Sequence, residues 1–340
     1  MAAAKHDLIR TVSSALAALR AGRLADAETL SRRLLVASPR DPAAHQLAGT
    51  VALRLERFDE AEDRARASLA LRPGHAPAMM LAGRAARARG DLAGAKVWFR
   101  RSSEIPGSGP EPLFQLGVAQ IEGADPEFAA TMEALIRHFP SEASGWREIG
   151  GALMRANRFD GAEAAFARAV EASDDPSHGV NLGRVLLARG RAREAATVLR
   201  RAHEKAPDRL EPLLPLAQAL RQIGAPREAR ELLSRLVEAG AREPQVFYAM
   251  GLACDDLRDW PAAISAYRRC VELQPDLPEG HVNLGLALQQ IGELALAVRC
   301  YREAMRLRPD TFGRIAQALP STPKGVLWLD TRRLRRSLGG

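Results

Sequence analysis

Cysteine is scarce in this 340-residue chain, which holds three cysteines and seven histidines. Cys254, Cys270 and Cys300 form no CxxC pair, and their odd number argues against a closed disulfide framework. The histidines form no HxxxH or HExxH pair, so no zinc ligand set is recognisable. We therefore expect no metal site and no cofactor, and we expect the cysteines to be buried between helices and unreactive.

Long apolar runs and aromatic residues are also rare. No stretch of about 18 uninterrupted apolar residues occurs, and the N-terminal segment reaches Lys5 and Asp7 before any apolar run forms. We expect neither a membrane-spanning segment nor a secretory leader, and a cytoplasmic location. Aromatic residues make up only 5% of the chain while Leu, Ala, Arg and Glu dominate, which favours helix over strand. We expect an all-α protein.

Positive charge is concentrated at the C-terminal end of the chain. The formal net charge is +8, from 49 basic and 41 acidic residues. Residues 312–340 contain six basic residues against the single acid Asp330, so they supply +5 and leave +3 for residues 1–311. A nearly neutral body counts against nucleic-acid binding as the main function.

The residues that are abundant recur with a period of 34. When positions are numbered within each repeat, Gly or Ala occupies position 8 of every unit and Ala occupies position 20. The alanines of position 20 are Ala27, Ala61, Ala95, Ala129, Ala162, Ala195, Ala229, Ala263 and Ala297. Nine units follow, two of them one residue short: 8–41, 42–75, 76–109, 110–142, 143–175, 176–209, 210–243, 244–277 and 278–311.

Each unit predicts two short antiparallel helices, helix A near positions 2–14 and helix B near positions 17–30. Small residues at positions 8 and 20 let the two axes approach, and larger residues at positions 7, 11 and 24 fill the space between them. Helices of roughly 13 residues are marginal alone, so stability must come from stacking. Glycine at position 15 of five units suits a left-handed helix end, a pattern that Glu56 and Arg258 break.

The small residue at position 8, Ala at 20, an aromatic residue or Leu at 24 and Pro at 32 resemble the tetratricopeptide repeat family. The resemblance implies an α-α superhelix, a solenoid of about nine helix-turn-helix units. It also implies that positions 2, 5, 9, 12 and 13 of helix A line a concave groove that binds extended peptides or helices. The expected boundaries are a lead at 1–7, the solenoid at 8–311, a capping helix at 312–319 and a basic tail at 320–340.

Two units depart from the repeat pattern. Unit 110–142 carries GADPEF where helix A should turn into helix B, and it follows PGSGP, a cluster that would interrupt the stack. The sequence therefore predicts a local change in superhelix pitch or a soft joint at this unit. Unit 210–243 has Pro212 and Pro215 near the start of helix A, which predicts a late start or a kink.

The expected groove positions are rich in arginine. Arginine presents a planar fork of donors that suits carboxylates, so these side chains predict a groove for an acidic peptide segment. The alternative is that they are solvated surface arginines. Toward the C-terminal end the same positions become acidic or amide, with Asp255, Asp256, Gln289 and Gln290. The candidate binding residues are Arg84, Arg87, Arg147, Arg155, Arg184, Gln218 and Arg221.

No Gly-rich phosphate loop, nucleophile elbow or paired-carboxylate site occurs in the sequence. Some family members bind a carboxylate with a clamp that includes asparagine at position 6. In this chain asparagine occurs at position 6 only as Asn181 and Asn283, so the clamp is not present. We expect a non-catalytic scaffold with a protein or peptide partner and no small-molecule substrate. The VNLG steps around these asparagines are similar to repeats of nucleocytoplasmic sugar transferases, which leaves a substrate-recognition or targeting subunit of such an enzyme as the alternative.

The C-terminal tail combines an apolar cluster with basic residues. It either folds back on the end of the solenoid or docks on a partner, an anionic membrane surface or nucleic acid. Nucleic-acid binding through this tail is the second alternative function. The residues expected to make such a contact are Trp328, Arg332, Arg333, Arg335 and Arg336.

Overall fold

The computed structural model describes residues 2–318, and every regular element in that range is helical. The chain divides into two compact units, Met1–Asp174 and Asp175–Gly340. The first contains α1 (Ala2–Arg20), α2 (Leu24–Ala37), α3 (Pro42–Arg54), α4 (Phe58–Leu71), α5 (Ala76–Ala88), α6 (Leu92–Ser103), α7 (Glu111–Glu122), α8 (Phe128–His138), α9 (Ala143–Arg155) and α10 (Phe159–Ala172).

The second unit contains α11 (Pro176–Ala188), α12 (Ala192–Lys205), α13 (Leu213–Gln222), α14 (Pro226–Glu238), α15 (Pro244–Asp256), α16 (Trp260–Leu273), α17 (Pro278–Gln290), α18 (Leu294–Leu307), a 3₁₀ turn (Pro309–Thr311) and α19 (Phe312–Ala318). The all-α class and the pairing of consecutive helices into hairpins are confirmed. None of the helices between residues 2 and 318 has the length and apolar content needed to span a bilayer.

In four units the glycine at position 8 faces an aromatic ring at position 24 of the same unit, which leaves no room for a side chain. A Cβ added to Gly251 would lie 2.4 Å from the ring of Tyr267, and one added to Gly285 would lie 2.4 Å from the ring of Tyr301. Both tyrosines are completely buried. A methyl group would therefore push the two helices of either hairpin apart, because the ring fills the space between them.

Helix A ends in a left-handed residue at position 15 in every described unit. Glu56 shows how the chain turns: its N–H donates to the carbonyl of Leu53 at 3.1 Å, and the N–H of Arg57 donates to the carbonyl of Ala52 at 2.9 Å. The same conformation is adopted whether or not the residue is glycine. The left-handed residues are Gly22, Glu56, Gly90, Ala124, Asn157, Gly190, Gly224, Arg258 and Gly292.

The bulky side chain at position 4 anchors helix A to the end of the preceding unit. The indole Nε1 of Trp146 donates to the carbonyl of Phe139 at 3.1 Å and to that of Pro140 at 3.0 Å. The imidazole Nε2 of His45 lies 2.9 Å from the carbonyl of Pro39. The accepting carbonyls lie in the loop that follows helix B, so these contacts fix that loop against the next helix A.

Unit 110–142 departs from its neighbours, as its sequence predicts. α8 begins only at Phe128 and spans 11 residues. The expectation that the position 20 alanine packs between the helices is wrong here, because Ala129 is exposed while Phe128 and Leu135 are buried. The buried stripe of α8 therefore starts one residue earlier than the period predicts, since the longer GADPEF connection changes the phase of the helix.

Two further predictions concern helix ends. The late start of helix A in unit 210–243 is confirmed, because α13 begins at Leu213, directly after Pro212. At the other end of the second unit, α19 buries Ile315 against the last hairpin. The expected final residue of this helix, Leu319, lies outside the described residues, as do Trp328 and the arginines of the tail.

Candidate functional site

Four of the predicted arginines line one cleft in the first unit. Arg84 and Arg87 come from α5 and Arg147 and Arg155 from α9, and Arg54 of α3 joins them. The cleft has a volume of about 730 Å³. The side chains converge because each occupies one of the helix A positions 5, 9, 12 or 13, which share one face of a helix. We call these five side chains and the space between them the arginine cleft.

Acidic and amide side chains of the neighbouring helices hold several arginines of the cleft in place. Arg84 pairs with Glu111 of α7. The guanidinium of Arg87 donates to Oε1 of Gln115 at 2.8 Å, and the amide of Gln115 donates to Glu148 at 2.5 Å. A hydrogen-bonded chain thus crosses from α5 through α7 to α9 and orients Arg87.

Glu122, at the end of α7, lies between two arginines of the cleft. Its carboxylate is 3.9 Å from Nε of Arg87 and 3.7 Å from a terminal nitrogen of Arg155. Both distances are longer than those of a direct hydrogen bond. One carboxylate therefore balances two guanidinium groups loosely, and both groups remain able to reach a further acceptor.

Arg54 and Arg147 have no ion-pair or hydrogen-bond partner within residues 2–318, and both are exposed. The lining of the cleft contains five arginines against two glutamates, Glu56 and Glu148. Counting Glu111 and Glu122, which pair with arginines of the cleft from outside its lining, five arginines face four glutamates, so the cleft keeps a small net positive charge.

The sequence interpretation missed the polar side chains Gln115 and Glu148, which stand at position 6 of adjacent units, because it considered only asparagine at that position. The signal that could have identified them is a run of polar residues at position 6 of three successive units, Gln115, Glu148 and Asn181. Gln115 accepts from Arg87 and donates to Glu148, so these two side chains orient one arginine of the cleft.

The other three candidate residues belong to the second unit. Arg184 and Gln218 are exposed. Arg221 donates to a carboxylate oxygen of Asp256 at 3.2 Å, so this arginine already has an acidic partner. The structure thus separates the candidates into four that share a cleft and three that lie on α11 and α13.

The acidic and amide residues near the C-terminal end are used internally. Gln289 is fully buried and accepts the hydroxyl of Tyr301 at 2.8 Å. Asn283 is 2% exposed, donates to the hydroxyl of Tyr248 at 3.0 Å and accepts from Arg314 at 2.6 Å. The expectation that Gln289 lines an open groove is therefore wrong: its amide serves as the hydrogen-bond partner of a buried phenol.

Asp255 has the equivalent role in the preceding repeat. The hydroxyl of Tyr267 donates to its Oδ2 at 2.7 Å. Burial raises the pKa of Asp255 to about 6, an effect that the hydrogen bond from Tyr267 only partly offsets. Asp255 is therefore a half-buried titratable group of the second unit.

The cysteines show no sign of activation. Cys254 and Cys270 are buried, and burial raises the pKa of each thiol to about 11. Cys300 is only half-buried, and burial raises the pKa of its thiol as well. A raised thiol pKa disfavours the nucleophilic thiolate. Among the described residues, no group of three His, Cys, Asp or Glu side chains is placed to hold a metal ion.

Comparison with known protein families finds tetratricopeptide repeats in both units. Tetratricopeptide repeat models match residues 13–63, 46–108 and 125–176 in the first unit. Further tetratricopeptide repeat models match residues 186–252, 244–277 and 278–311 in the second unit.

A curated relative is the cellulose synthase operon protein C of Xanthomonas axonopodis pv. citri (strain 306), which is 28% identical over 193 residues. The match spans 54% of this chain and 13% of that protein. Two similar solved structures are MamA from Desulfovibrio magneticus RS-1 and YrrB, described as a tetratricopeptide repeat protein with an unusual peptide-binding site. The first is 21% identical, covers 49% of this chain and 96% of that one, and has a TM-score of 0.45. The second is 18% identical, covers 53% and 92%, and has a TM-score of 0.43.

Proposed function

Because the chain belongs to the tetratricopeptide repeat family, we propose that it is a non-catalytic scaffold whose arginine cleft binds an extended acidic segment of a partner protein. The observation that carries the proposal is the pair of exposed arginines in the cleft, Arg54 and Arg147, that no described acidic residue neutralises. A partner carboxylate would supply the acceptor that the chain itself does not provide.

The neighbouring contacts support an acidic ligand over a neutral one. The Gln115–Glu148 chain holds Arg87, so some of the ordering cost of binding is met before the ligand arrives. Glu122 lies loosely between Arg87 and Arg155, so a ligand carboxylate can approach both guanidinium groups without breaking a short ion pair.

The expected affinity is moderate, because the cleft is open. Exposed ion pairs contribute about 0.2 to 1 kcal/mol each. Several of them can favour an acidic partner over a neutral one, but they do not supply enough binding free energy by themselves. Backbone hydrogen bonds and contacts with the remaining repeats must supply the rest. We therefore expect binding that weakens strongly with salt.

The experiment is a fluorescence anisotropy titration with a labelled peptide of alternating glutamate and serine. The double substitution Arg54→Glu and Arg147→Glu should weaken binding about tenfold or more, because two attractive contacts become repulsive. The matched control is Arg33→Glu with Arg40→Glu, which makes the same charge change at exposed arginines of the first unit outside the cleft.

The control variant should bind the peptide as the unaltered protein does, and all proteins should keep the same helical circular dichroism. If both double variants lose affinity equally, the effect is one of net charge and the arginine cleft is not the binding site. If neither loses affinity, the acidic-segment proposal is refuted.

The alternative function, a recognition subunit of a sugar transferase, rested on two asparagines, and one of them is not available to a ligand. Asn283 is held between Tyr248 and Arg314 and is 2% exposed, so its amide is not presented to a ligand. Nucleic-acid binding through the tail stays a prediction, since residues 320–340 lie outside the described range.

A further inference from the structure

A second and larger cleft lies on the second unit, between α16, α17 and α18. It has a volume of about 920 Å³, within the range of about 300 to 1,000 Å³ typical of ligand pockets. Its floor is lined by the apolar side chains Val271, Leu284, Leu288, Leu296, Cys300 and Met305. We call it the α16–α18 cleft.

The α16–α18 cleft does not use the face of helix A that the family resemblance assigns to peptide binding. On α17 it is lined by Leu284 and Leu288, which are four residues apart and share one side of the helix. Val282 and Leu286 occupy the positions that correspond to the expected groove, and at 100° per residue they point away from the first two. The cleft is therefore a separate surface.

The rim of the cleft is basic. Arg268 and Arg299 are exposed and make no ion pair or hydrogen bond with residues 2–318. Glu303, the only acid of the lining, is held by Arg306 through bonds of 2.5 to 3.1 Å. Arg302 adds a further positive charge. An apolar floor is thus surrounded by an excess of positive charge.

We propose that the α16–α18 cleft binds an acidic amphipathic segment of a partner protein, with apolar side chains on the floor and carboxylates at Arg268 and Arg299. Helices that bind in grooves use apolar residues at intervals of three and four, which form one apolar face that can cover this apolar floor. The carboxylates would meet guanidinium groups that have no acidic partner among the described residues.

The charge of the chain's own tail disfavours it as the occupant of this cleft. Residues 320–340 contain Lys324, Arg332, Arg333, Arg335 and Arg336 against the single acid Asp330. Docking the tail would bring these charges next to a rim that is itself positive, which is repulsive. Charge complementarity therefore selects a partner that is acidic.

The probe for this proposal is a labelled amphipathic peptide with leucines at helical spacing on one face and glutamates on the other. Two matched peptides complete the set, one with lysine for glutamate and one with serine for leucine. The double substitution Arg268→Glu and Arg299→Glu should weaken binding of the leucine–glutamate peptide about tenfold in an anisotropy titration. The charge-matched control is Arg201→Glu with Arg227→Glu, at exposed arginines of the second unit that do not line the cleft.

Three results together support the proposal. The control variant and the variant Arg54→Glu with Arg147→Glu keep their affinity, which separates this surface from the arginine cleft. The serine peptide binds the unaltered protein at least about tenfold more weakly, since its apolar anchors are gone. The lysine peptide binds the Arg268→Glu, Arg299→Glu variant better than the unaltered protein, which also shows that the variant is folded.

Two results overturn it. In the first, the Arg268→Glu, Arg299→Glu variant and its control bind the leucine–glutamate peptide with equal affinity. The rim arginines then do not contact the peptide. Loss of binding only in the Arg54→Glu, Arg147→Glu variant assigns the peptide to the arginine cleft and leaves the α16–α18 cleft without a role in binding it.

Discussion

Gln120 on α7 offers the sharpest test of how the first unit is packed. Its side chain is 1% exposed, and neither Nε2 nor Oε1 has a hydrogen-bond partner among the described residues. It stands at position 11 of its unit. All other units have apolar residues there: Ala18, Ala52, Ala86, Leu153, Leu186, Leu220, Cys254 and Leu288.

Replacing Gln120 by Leu should stabilise the first unit. A buried amide without partners costs about 1 to 3 kcal/mol relative to one that is paired or solvated. Leucine has a similar length and no polar atom, so the substitution removes that cost and adds apolar burial. We expect the free energy of unfolding to rise by about 1 to 3 kcal/mol.

Urea unfolding followed by far-UV circular dichroism measures the change as a shift of the midpoint at constant slope. Because repeat arrays need not unfold in one step, hydrogen exchange in α7 and α9 provides the local measurement. Gln115→Leu is the matched control. It makes the same change on the same helix, but Gln115 is bonded to Arg87 at 2.8 Å and to Glu148 at 2.5 Å.

The two substitutions should have opposite signs. Gln115→Leu leaves Arg87 and Glu148 with fewer partners and should lower stability by about 1 kcal/mol. If Gln120→Leu also lowers the unfolding midpoint, its amide is satisfied in solution, by a buried water for example, and the reasoning from an unpaired amide is refuted.

Two further predictions concern backbone strain and burial of charge. Glu56→Gly or Arg258→Gly should each raise the free energy of unfolding by about 1 kcal/mol, because these residues hold φ of +59° and +57° in a turn that glycine adopts without strain. A thermal midpoint unchanged or lowered in both would contradict this. For Asp255 the folded-state pKa of about 6 lies above the ordinary aspartate pKa of 3.8, so the folded state binds the proton more tightly. Stability should therefore fall as pH rises from about 4 to about 6, and Asp255→Asn should remove this slope; a slope that persists in the variant would assign it to another group.

Most of the helical framework was predictable from the sequence because its causes are local or recur at one period. The position 8 glycines and position 24 tyrosines, such as Gly285 and Tyr301, are partners within one hairpin. The break at Pro212 follows from the geometry of proline alone, and α13 begins at the next residue. The period placed turns at Glu56 and Arg258 but did not predict their conformation: both residues break the glycine pattern of position 15, yet both are left-handed.

The phase of α8 was not predictable in the same way. The alanine of position 20 is present at Ala129, yet the helix buries Phe128 instead. A connection that differs in length changes which side of the following helix meets the core, and the outcome depends on how the whole hairpin packs.

By itself, the sequence determined the repeat length, the helix pairs, their turns and the helix face that carries the arginines, since each depends on residues within one repeat. Only the tertiary structure decided which arginines remain available to a ligand. The partners of Arg84 and Arg87 come from the next helix A, and Arg221 meets Asp256 of the repeat that follows. The reason is physical: an ion pair needs two charges within about 4 Å, and stacking, not spacing along the chain, sets that distance.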